Sequence, residues 1–88
     1  MCTTDRVAFG AAKALRRFGK HPGKDMLLAG HDDLDICEYM DPQLTTVHQD
    51  IERISKAAMH FIQLDPGALA GKYYQQRFPG RLVIRESA

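Results

Sequence analysis

Residues 26–35 read MLLAGHDDLD, an apolar run that ends in glycine and is followed at once by a histidine and three aspartates. A short unbroken apolar run is typical of a strand that is buried on both faces, as in a parallel sheet. In open α/β sheets, ligands bind at the carboxyl ends of the strands, where the connecting loops meet. This stretch therefore predicts an α/β fold in which Asp32, Asp33 and Asp35 lie near a ligand-binding edge.

The acidic cluster has other interpretations. Its carboxylates could simply be solvated in a loop, or they could cap the helical turn predicted for residues 36–40. His31 and the aspartates could offer ligands to a metal, but no second cluster at a recognised ligand spacing follows, so we expect no metal and no cofactor. A carboxylate at this position can also accept hydrogen bonds from the hydroxyls or amines of a small polar ligand.

A first amphipathic helix is predicted within TTDRVAFGAAKALRRFG, residues 3–19, ahead of the apolar run. Its apolar side chains recur at helical spacing: Val7, Ala11, Leu15 and Phe18. Thr4 or Asp5 can cap its first turn, and Gly19 can adopt the left-handed conformation that ends a helix. Several small residues make this helix slim, so a neighbouring segment or molecule can approach its backbone closely.

The second half of the chain predicts a strand and another helix. Residues 45–47 are rich in β-branched side chains and predict a short strand. Residues 50–64 predict a helix with Asp50 as its N-cap. Its apolar stripe comprises Ile51, Ile54, Ala58, Phe61 and Ile62. Three further segments complete the prediction: a loop over 68–72 and extended runs over 73–78 and 81–86.

The composition excludes several classes of protein. The chain has 88 residues, 44% of them apolar, and 12 Lys and Arg against 11 Asp and Glu. It is too apolar for a disordered chain, and its charge of +1 argues against a free-standing nucleic-acid binder. The basic stretch 16–24 straddles a helix end and a turn, which does not predict a helix-turn-helix. No apolar stretch of about 18 residues and no secretory signal is present, so we expect a cytoplasmic protein without a membrane partner.

No motif for catalysis is present. The sequence has neither a glycine-rich phosphate loop nor a nucleophile elbow. Cys2 and Cys37 have no base at a meaningful spacing, and we interpret them as free thiols that behave as small hydrophobic residues. We therefore expect that the protein is not an enzyme.

Four segments together resemble the carboxyl-terminal third of the lactose/galactose-repressor family of bacterial transcription regulators. They are TDRVAFGAAKALRRFGK (4–20), LLAGHDDLD (27–35), YMDPQLTTVHQDI (39–51) and RLVIRES (81–87). The most specific element is PQLTTVHQD behind GHDD, and the four segments occur in the order found in the family. The resemblance covers nearly the whole chain and is weakest over residues 64–75.

The resemblance implies a fold. It would be the carboxyl-terminal fragment of a periplasmic-binding-protein-like (type I) α/β fold, with two main helices and short, mostly parallel strands. In such a domain two lobes close over a sugar, a nucleoside or a similar metabolite. Residues 1–88 would be a single segment of it, in which 49–78 resemble a piece of the first lobe and the rest belongs to the second.

The resemblance also assigns ligand-binding positions. Asp32 matches the aspartate that accepts the ligand's hydroxyls in sugar-binding members. Gln49 and Ile51 match positions at the crossover between lobes that touch ligand in some members. Thr4 stands where many members have an asparagine before the aspartate that Asp5 matches, and it completes the predicted ligand-binding set.

A dimer interface is implied as well. Phe9 and Tyr39 match positions that the family uses for dimerisation, and we add Lys13 and Ile36 to this predicted interface. The implied protein is a homodimer or a higher oligomer that binds an effector, while operator DNA is bound only through an amino-terminal helix-turn-helix absent from this sequence. The alternative is a small α/β module that dimerises through its first helix and binds no small molecule.

The start of the sequence gives one more expectation. No strand precedes the first helix, so the run 26–30 would have an unpaired edge, and open edges recruit other chains. We therefore expect oligomerisation or exchange of segments between copies.

Overall fold

The computed structural model describes residues 1–71 and 74–88, which form two compact units. The first unit comprises Met1–Gln49 together with Gly80–Ala88, and the second comprises Asp50–Pro79. The elements in chain order are α1 (Asp5–Arg17), a short 3₁₀ helix (Asp35–Tyr39), β1 (Thr46–His48), α2 (Ile51–Ile62), α3 (Pro66–Leu69) and β2 (Arg81–Val83). Within the described residues, no helix combines the length and the apolar character that crossing a membrane requires.

Helix α1 confirms the first predicted helix, but a different face of it is buried. Thr4 is the N-cap, and its hydroxyl accepts a hydrogen bond from the amide of Val7. Asp5, Ala8 and Ala12 are the buried residues, whereas Val7, at the start of the stripe identified in the sequence, is exposed, as is Phe18. Two of the buried residues are alanines, and the segment that contains Gly30 approaches the start of this helix closely. At Gly30 an added Cβ would lie 3.0 Å from the Cα of Asp5.

The predicted buried strand over 26–30 is wrong. This segment forms isolated parallel bridges instead of a regular ladder, from Met26 to Pro22 and from Ala29 to Thr45, and a further bridge joins Asp32 to His48 just beyond it. The carbonyl oxygens of Ala29 and of the nearby His31 accept hydrogen bonds from the backbone amides of Cys2 and Asp5, near the start of the chain. Apolar residues at the beginning of segment 26–30 are exposed: Met26 and Leu27.

The regular sheet corrects the expectation of mostly parallel strands. Strands β1 and β2 pair antiparallel, with Thr46 opposite Val83 and His48 opposite Arg81. The chain leaves the first unit through β1 and returns to it through β2, so the two strands run in opposite directions. Among the described residues, parallel pairing occurs in isolated bridges.

The hydrophobic core of the first unit is small. It consists of Ala8, Ala12, Leu28, Cys37 and Leu44, with half-buried Phe9 and Met40 among the residues packed against it. Burial of polar side chains is equally prominent, since Asp5, Thr45, Thr46 and Ser87 are buried too. Hydrogen bonds between buried polar groups therefore accompany apolar packing in this unit.

The second unit contains α2 and α3. Helix α2 has Asp50 as its N-cap, as predicted, and none of its residues is buried. Residues 66–69 form a short helix where a loop was expected, because Asp65 accepts a bond from the amide of Gly67 and Pro66 opens the turn. The expected extended run over 73–78 has no regular structure over 74–78, and residues 72 and 73 lie outside the described residues.

Candidate functional site

Residues 28–32 lead from the core into the acidic loop, which comprises residues 32–34. Three successive backbone amides hold this loop. The amide of Asp32 donates to the carbonyl of Val47 at 3.0 Å, and that of Asp33 donates to Thr46 Oγ1 at 3.3 Å. The amide of Leu34 then donates to Asp5 Oδ2 at 2.8 Å. The conformation of this loop is therefore fixed by its neighbours on β1 and α1.

Two positive φ angles accompany this arrangement, 119° at Asp32 and 57° at Asp33. Residues other than glycine rarely adopt such angles, and aspartate is among the residues that tolerate the left-handed region. Angles of this kind persist only where the surroundings over-determine them, and they cluster at functional sites. The three amide bonds supply that constraint here.

Asp5 is the buried centre that these bonds share. Besides the Leu34 amide, its carboxylate accepts a bond from Thr46 Oγ1 at 2.5 Å and one from the thiol of Cys37 at 3.2 Å. Burial, reinforced by the hydrogen bond and the charge of Asp5, raises the pKa of the Cys37 thiol to about 12. The arrangement keeps Cys37 in its thiol form, which can donate to the carboxylate.

Asp33 is committed to an ion-pair network. Its Oδ1 accepts from Arg85 Nη2 at 2.9 Å, and its Oδ2 lies 2.9 Å from His48 Nδ1. Arg85 also donates to the carbonyl of Leu44 at 2.9 Å and lies 3.5 Å from Glu38 Oε1. Burial alone would raise the pKa of Asp33, but the hydrogen bonds from Arg85 and His48 outweigh it and lower that pKa below its ordinary value.

Asp32 has a different environment, although it is the next residue. Its Oδ1 lies 3.1 Å from Gln49 Nε2 and 3.2 Å from His31 Nδ1. Its side chain is 38% exposed, against 16% for Asp33. Within the described residues, its second oxygen has no hydrogen-bond partner, so Asp32 can accept hydrogen bonds from an incoming molecule.

The structure brings together two of the four predicted ligand-binding residues, Asp32 and Gln49. The hydroxyl of Thr4 caps α1, which engages it in the helix start. Ile51 begins α2, belongs to the second unit and is exposed. The ligand-binding role of all four stays a prediction.

The predicted dimer residues differ in exposure. Tyr39 is 83% exposed and Ile36 is also exposed, both on the 3₁₀ helix. Lys13 is exposed on α1, whereas Phe9 is half-buried and packs against the core. Tyr39, Ile36 and Lys13 are therefore available to a partner, and Phe9 also supports the fold.

Sequence analysis missed the residues that divide the roles of the two aspartates. Arg85 lies in the segment RLVIRES but was assigned no role, and it reaches Asp33 from 52 positions away. Asp5 was considered only as a helix cap. The small residues of α1 did predict a close approach to this helix, but they did not show which segment makes it.

Comparison with known proteins identifies the class to which this fold belongs. The family described as periplasmic binding protein-like domain matches residues 1–88. The HTH-type transcriptional regulator MalR of Streptomyces coelicolor is 31% identical over 87 residues, which cover 99% of this chain and 25% of that protein. The chain therefore spans about a quarter of the length of this relative.

Two solved structures extend the comparison. A Lac repressor dimer bound to operator and the anti-inducer ONPF matches with a TM-score of 0.85 and 28% identity, over 99% of this chain and 26% of that one. A LacI family transcriptional regulator from Enterococcus faecium with bound ribose matches with a TM-score of 0.78 and 29% identity, over 97% of this chain and 32% of that one. The predicted periplasmic-binding-protein-like fold is thereby confirmed.

The fold is thus that of an effector domain of bacterial transcription regulators. The chain belongs to the periplasmic-binding-protein-like domain family and is part of such a domain of the lactose/galactose-repressor type. The resemblance stated from the four sequence segments is confirmed.

Proposed function

We propose that residues 1–88 contribute an effector-binding site and a dimer interface to a DNA-binding transcription regulator whose effector is a sugar or a related metabolite. The observation that carries this proposal is the contrast between two adjacent carboxylates. Asp33 is engaged by Arg85 and His48, while Asp32 keeps a partly exposed carboxylate that Gln49 holds in place. An oriented carboxylate of this kind suits the hydroxyl groups of a sugar.

The mechanism follows from differential binding. A ligand held by Asp32 and Gln49 would favour one arrangement of the two lobes of the domain. A ligand that binds one arrangement more tightly shifts the population toward it, and the affinity for operator DNA changes with it. We propose that the operator itself is contacted by a helix-turn-helix outside residues 1–88, and that the protein acts in the cytoplasm.

We also propose that the second unit contributes to the first lobe of the domain and that the first unit belongs to the second lobe. Two observations support this assignment. The chain divides at Asp50 and Pro79, close to the crossover positions that the resemblance implies. Helix α2 has a strong apolar stripe but no buried residue, as expected of a helix whose packing partners lie in the rest of a lobe.

Calorimetric titration of the full-length protein with ribose, and then with a panel of neutral mono- and disaccharides, tests the effector site. A charge-assisted hydrogen bond is worth about 1.5–3 kcal/mol, so Asp32→Asn should weaken binding roughly tenfold to a hundredfold. Asp35→Asn is the matched control, since it removes an exposed carboxylate on the adjoining 3₁₀ helix. Equal affinity of Asp32→Asn and wild type would remove Asp32 from the site, and no binding of any sugar would overturn the proposal.

The dimer interface needs a separate test because the alternative function, an interaction module without a small-molecule ligand, also predicts a dimer. The exposure of Tyr39 on the 3₁₀ helix favours an interface there. Sedimentation equilibrium should show that Tyr39→Asp weakens self-association, whereas Ile84→Asp, at another exposed apolar side chain, should not. Phe9→Asp should weaken it too, with circular dichroism checking that the half-buried position still folds. A dimer that persists in both Tyr39→Asp and Phe9→Asp would contradict this interface.

A further inference from the structure

Three polar atoms beside the exposed carboxylate lie at mutual hydrogen-bond distances. Gln49 Nε2 lies 3.0 Å from His31 Nδ1 and 3.1 Å from Asp32 Oδ1. The third side of this triangle, from His31 Nδ1 to Asp32 Oδ1, is 3.2 Å. His31 and Asp32 come from the end of segment 28–32, and Gln49 follows β1, so the parallel bridge between Asp32 and His48 places them side by side.

The number of protons available decides how these atoms share hydrogen bonds. The amide nitrogen of Gln49 carries two N–H groups and can donate to two acceptors. Its orientation is fixed because the opposite one would place Oε1 against the Asp32 carboxylate, where two acceptors would face each other. In either tautomer of His31, one side of the triangle joins two like groups. A proton on Nδ1 could be donated to Asp32 but would place two N–H donors at the 3.0 Å contact with Gln49, whereas an unprotonated Nδ1 leaves two acceptors at the longest contact, 3.2 Å to Asp32 Oδ1. The distances therefore favour the form in which Nδ1 is unprotonated and accepts from Gln49.

We propose that His31 is a positioning residue for the effector site, in its Nε2–H form, and that it holds the Gln49 amide jointly with Asp32. Both N–H groups of Gln49 are then used, and Oε1 is the atom of that amide left for a ligand. The second oxygen of Asp32 also has no partner within the described residues, and the two side chains are joined by the 3.1 Å bond from Gln49 Nε2 to Asp32 Oδ1. Two neighbouring acceptors select a ligand with two neighbouring donors, such as the adjacent hydroxyls of a sugar. This inference rests on the proposed function for the identity of the ligand but not for the hydrogen bonds.

The hydrogen bonds can be tested without any ligand. In the ¹⁵N-labelled chain at about pH 8, above the ordinary titration range of histidine, we expect a scalar coupling between Gln49 Nε2 and His31 Nδ1 across the N–H···N bond. His48 is the internal control, since its Nδ1 faces the Asp33 carboxylate and should show no coupling to nitrogen. Absence of the coupling at His31, or a proton on its Nδ1, would overturn the inference.

Two substitutions separate positioning from direct contact with ligand. His31→Asn can keep an acceptor where Nδ1 stands, whereas His31→Gln can keep a polar atom only where Nε2 stands. In titrations of the full-length protein with ribose, His31→Gln should weaken binding about two- to tenfold, the range of one ordinary hydrogen bond, and His31→Asn should bind as wild type does. Rescue by glutamine but not by asparagine, or wild-type affinity in both variants, would overturn the positioning role.

The failure of this inference can be told apart from failure of the proposed function. If Asp32→Asn weakens ribose binding and neither His31 variant does, the effector site stands and the role of His31 is wrong. If wild type binds no ribose, the N–N coupling alone decides whether His31 holds Gln49, while the wider sugar panel decides the proposed function.

Discussion

Thr46 Oγ1 donates a hydrogen bond of 2.5 Å to Asp5 Oδ1, and both side chains are fully buried. The bond joins the first residue of α1 to the first residue of β1, 41 positions later. The same Thr46 oxygen accepts the amide of Asp33, and the same Asp5 carboxylate accepts the amide of Leu34. This pair therefore anchors the acidic loop to both elements at once.

Replacing Thr46 by valine should destabilise the first unit at nearly constant volume. Thr46→Val leaves an oxygen of the buried Asp5 without its donor and the Asp33 amide without its acceptor. Unsatisfied buried groups cost about 1–3 kcal/mol, so the free energy of unfolding measured in urea should fall by about that amount. Thr3→Val, at an exposed position, should change it by less than about 0.5 kcal/mol. A Thr46→Val variant as stable as the Thr3→Val control would contradict this account.

Two glycine-to-alanine substitutions should have opposite effects on stability. At Gly30 the new Cβ would lie 3.0 Å from Asp5 Cα and 3.1 Å from Leu44 Cδ2, and closer still to Asp5 Oδ1. Crowding of this kind typically costs about 1–3 kcal/mol, so Gly30→Ala should lower the thermal midpoint. Gly10 lies within α1, and a Cβ added there would meet nothing within 4 Å. Gly10→Ala should therefore raise the free energy of unfolding by about 0.5–1 kcal/mol. A raised midpoint for Gly30→Ala would show that segment 28–32 does not lie against α1.

The two cysteines should differ sharply in reactivity. The thiolate is the nucleophilic form of cysteine, and burial beside Asp5 raises the pKa of Cys37 to about 12. Ellman's reagent at about pH 8 should therefore label Cys2, which is half-buried, and should reach Cys37 only after unfolding. In the folded Cys2→Ser variant, the rapid labelling of a thiol by Ellman's reagent should disappear. Rapid labelling of the remaining thiol in that folded variant would refute the buried Asp5–Cys37 contact.

Stability should depend on the charge of Asp33 in acid. Its pKa in the folded chain lies below the ordinary value of 3.8, so the unfolded chain binds a proton at this residue more readily than the folded chain does. The stabilisation is therefore fully present above about pH 5 and is lost as the pH falls through 3.8 toward the lower folded value.

Urea unfolding of wild type and Asp33→Asn between about pH 6 and pH 2 measures this dependence. The variant should be less stable near neutral pH, and its stability should decline less in acid. Asp35→Asn replaces an exposed carboxylate, so its free energy of unfolding should depend on pH as that of wild type does. If the free energy of unfolding depended on pH in the same way in Asp33→Asn and in wild type, the bonds from Arg85 and His48 to Asp33 would not stabilise the fold.

Local signals allowed the helices to be predicted well. Periodicity and capping residues located α1 and α2, and the caps at Thr4 and Asp50 are those the sequence offered. The same signals misjudged segment 26–30, because an apolar run does not reveal how many neighbours will lie beside it. They also missed that β1 and β2, both in the first unit, pair antiparallel.

The candidate site was predicted only in part. Asp32 and Gln49 were named from the family resemblance, and the structure places them 3.1 Å apart. The separate roles of Asp32 and Asp33 could not be foreseen, since two adjacent aspartates look alike in a sequence.

The amino-acid sequence by itself determined the family, the two main helices and the residues that cap them, because each of these depends on side chains a few positions apart. Only the tertiary structure decided which aspartate is committed to ion pairs and which stays available, and that Asp5 is a buried acceptor. Those outcomes depend on partners such as Arg85, 52 positions from Asp33, and Thr46, 41 positions from Asp5. A carboxylate acquires its role from the donors that folding brings to it, and these donors come from distant parts of the chain.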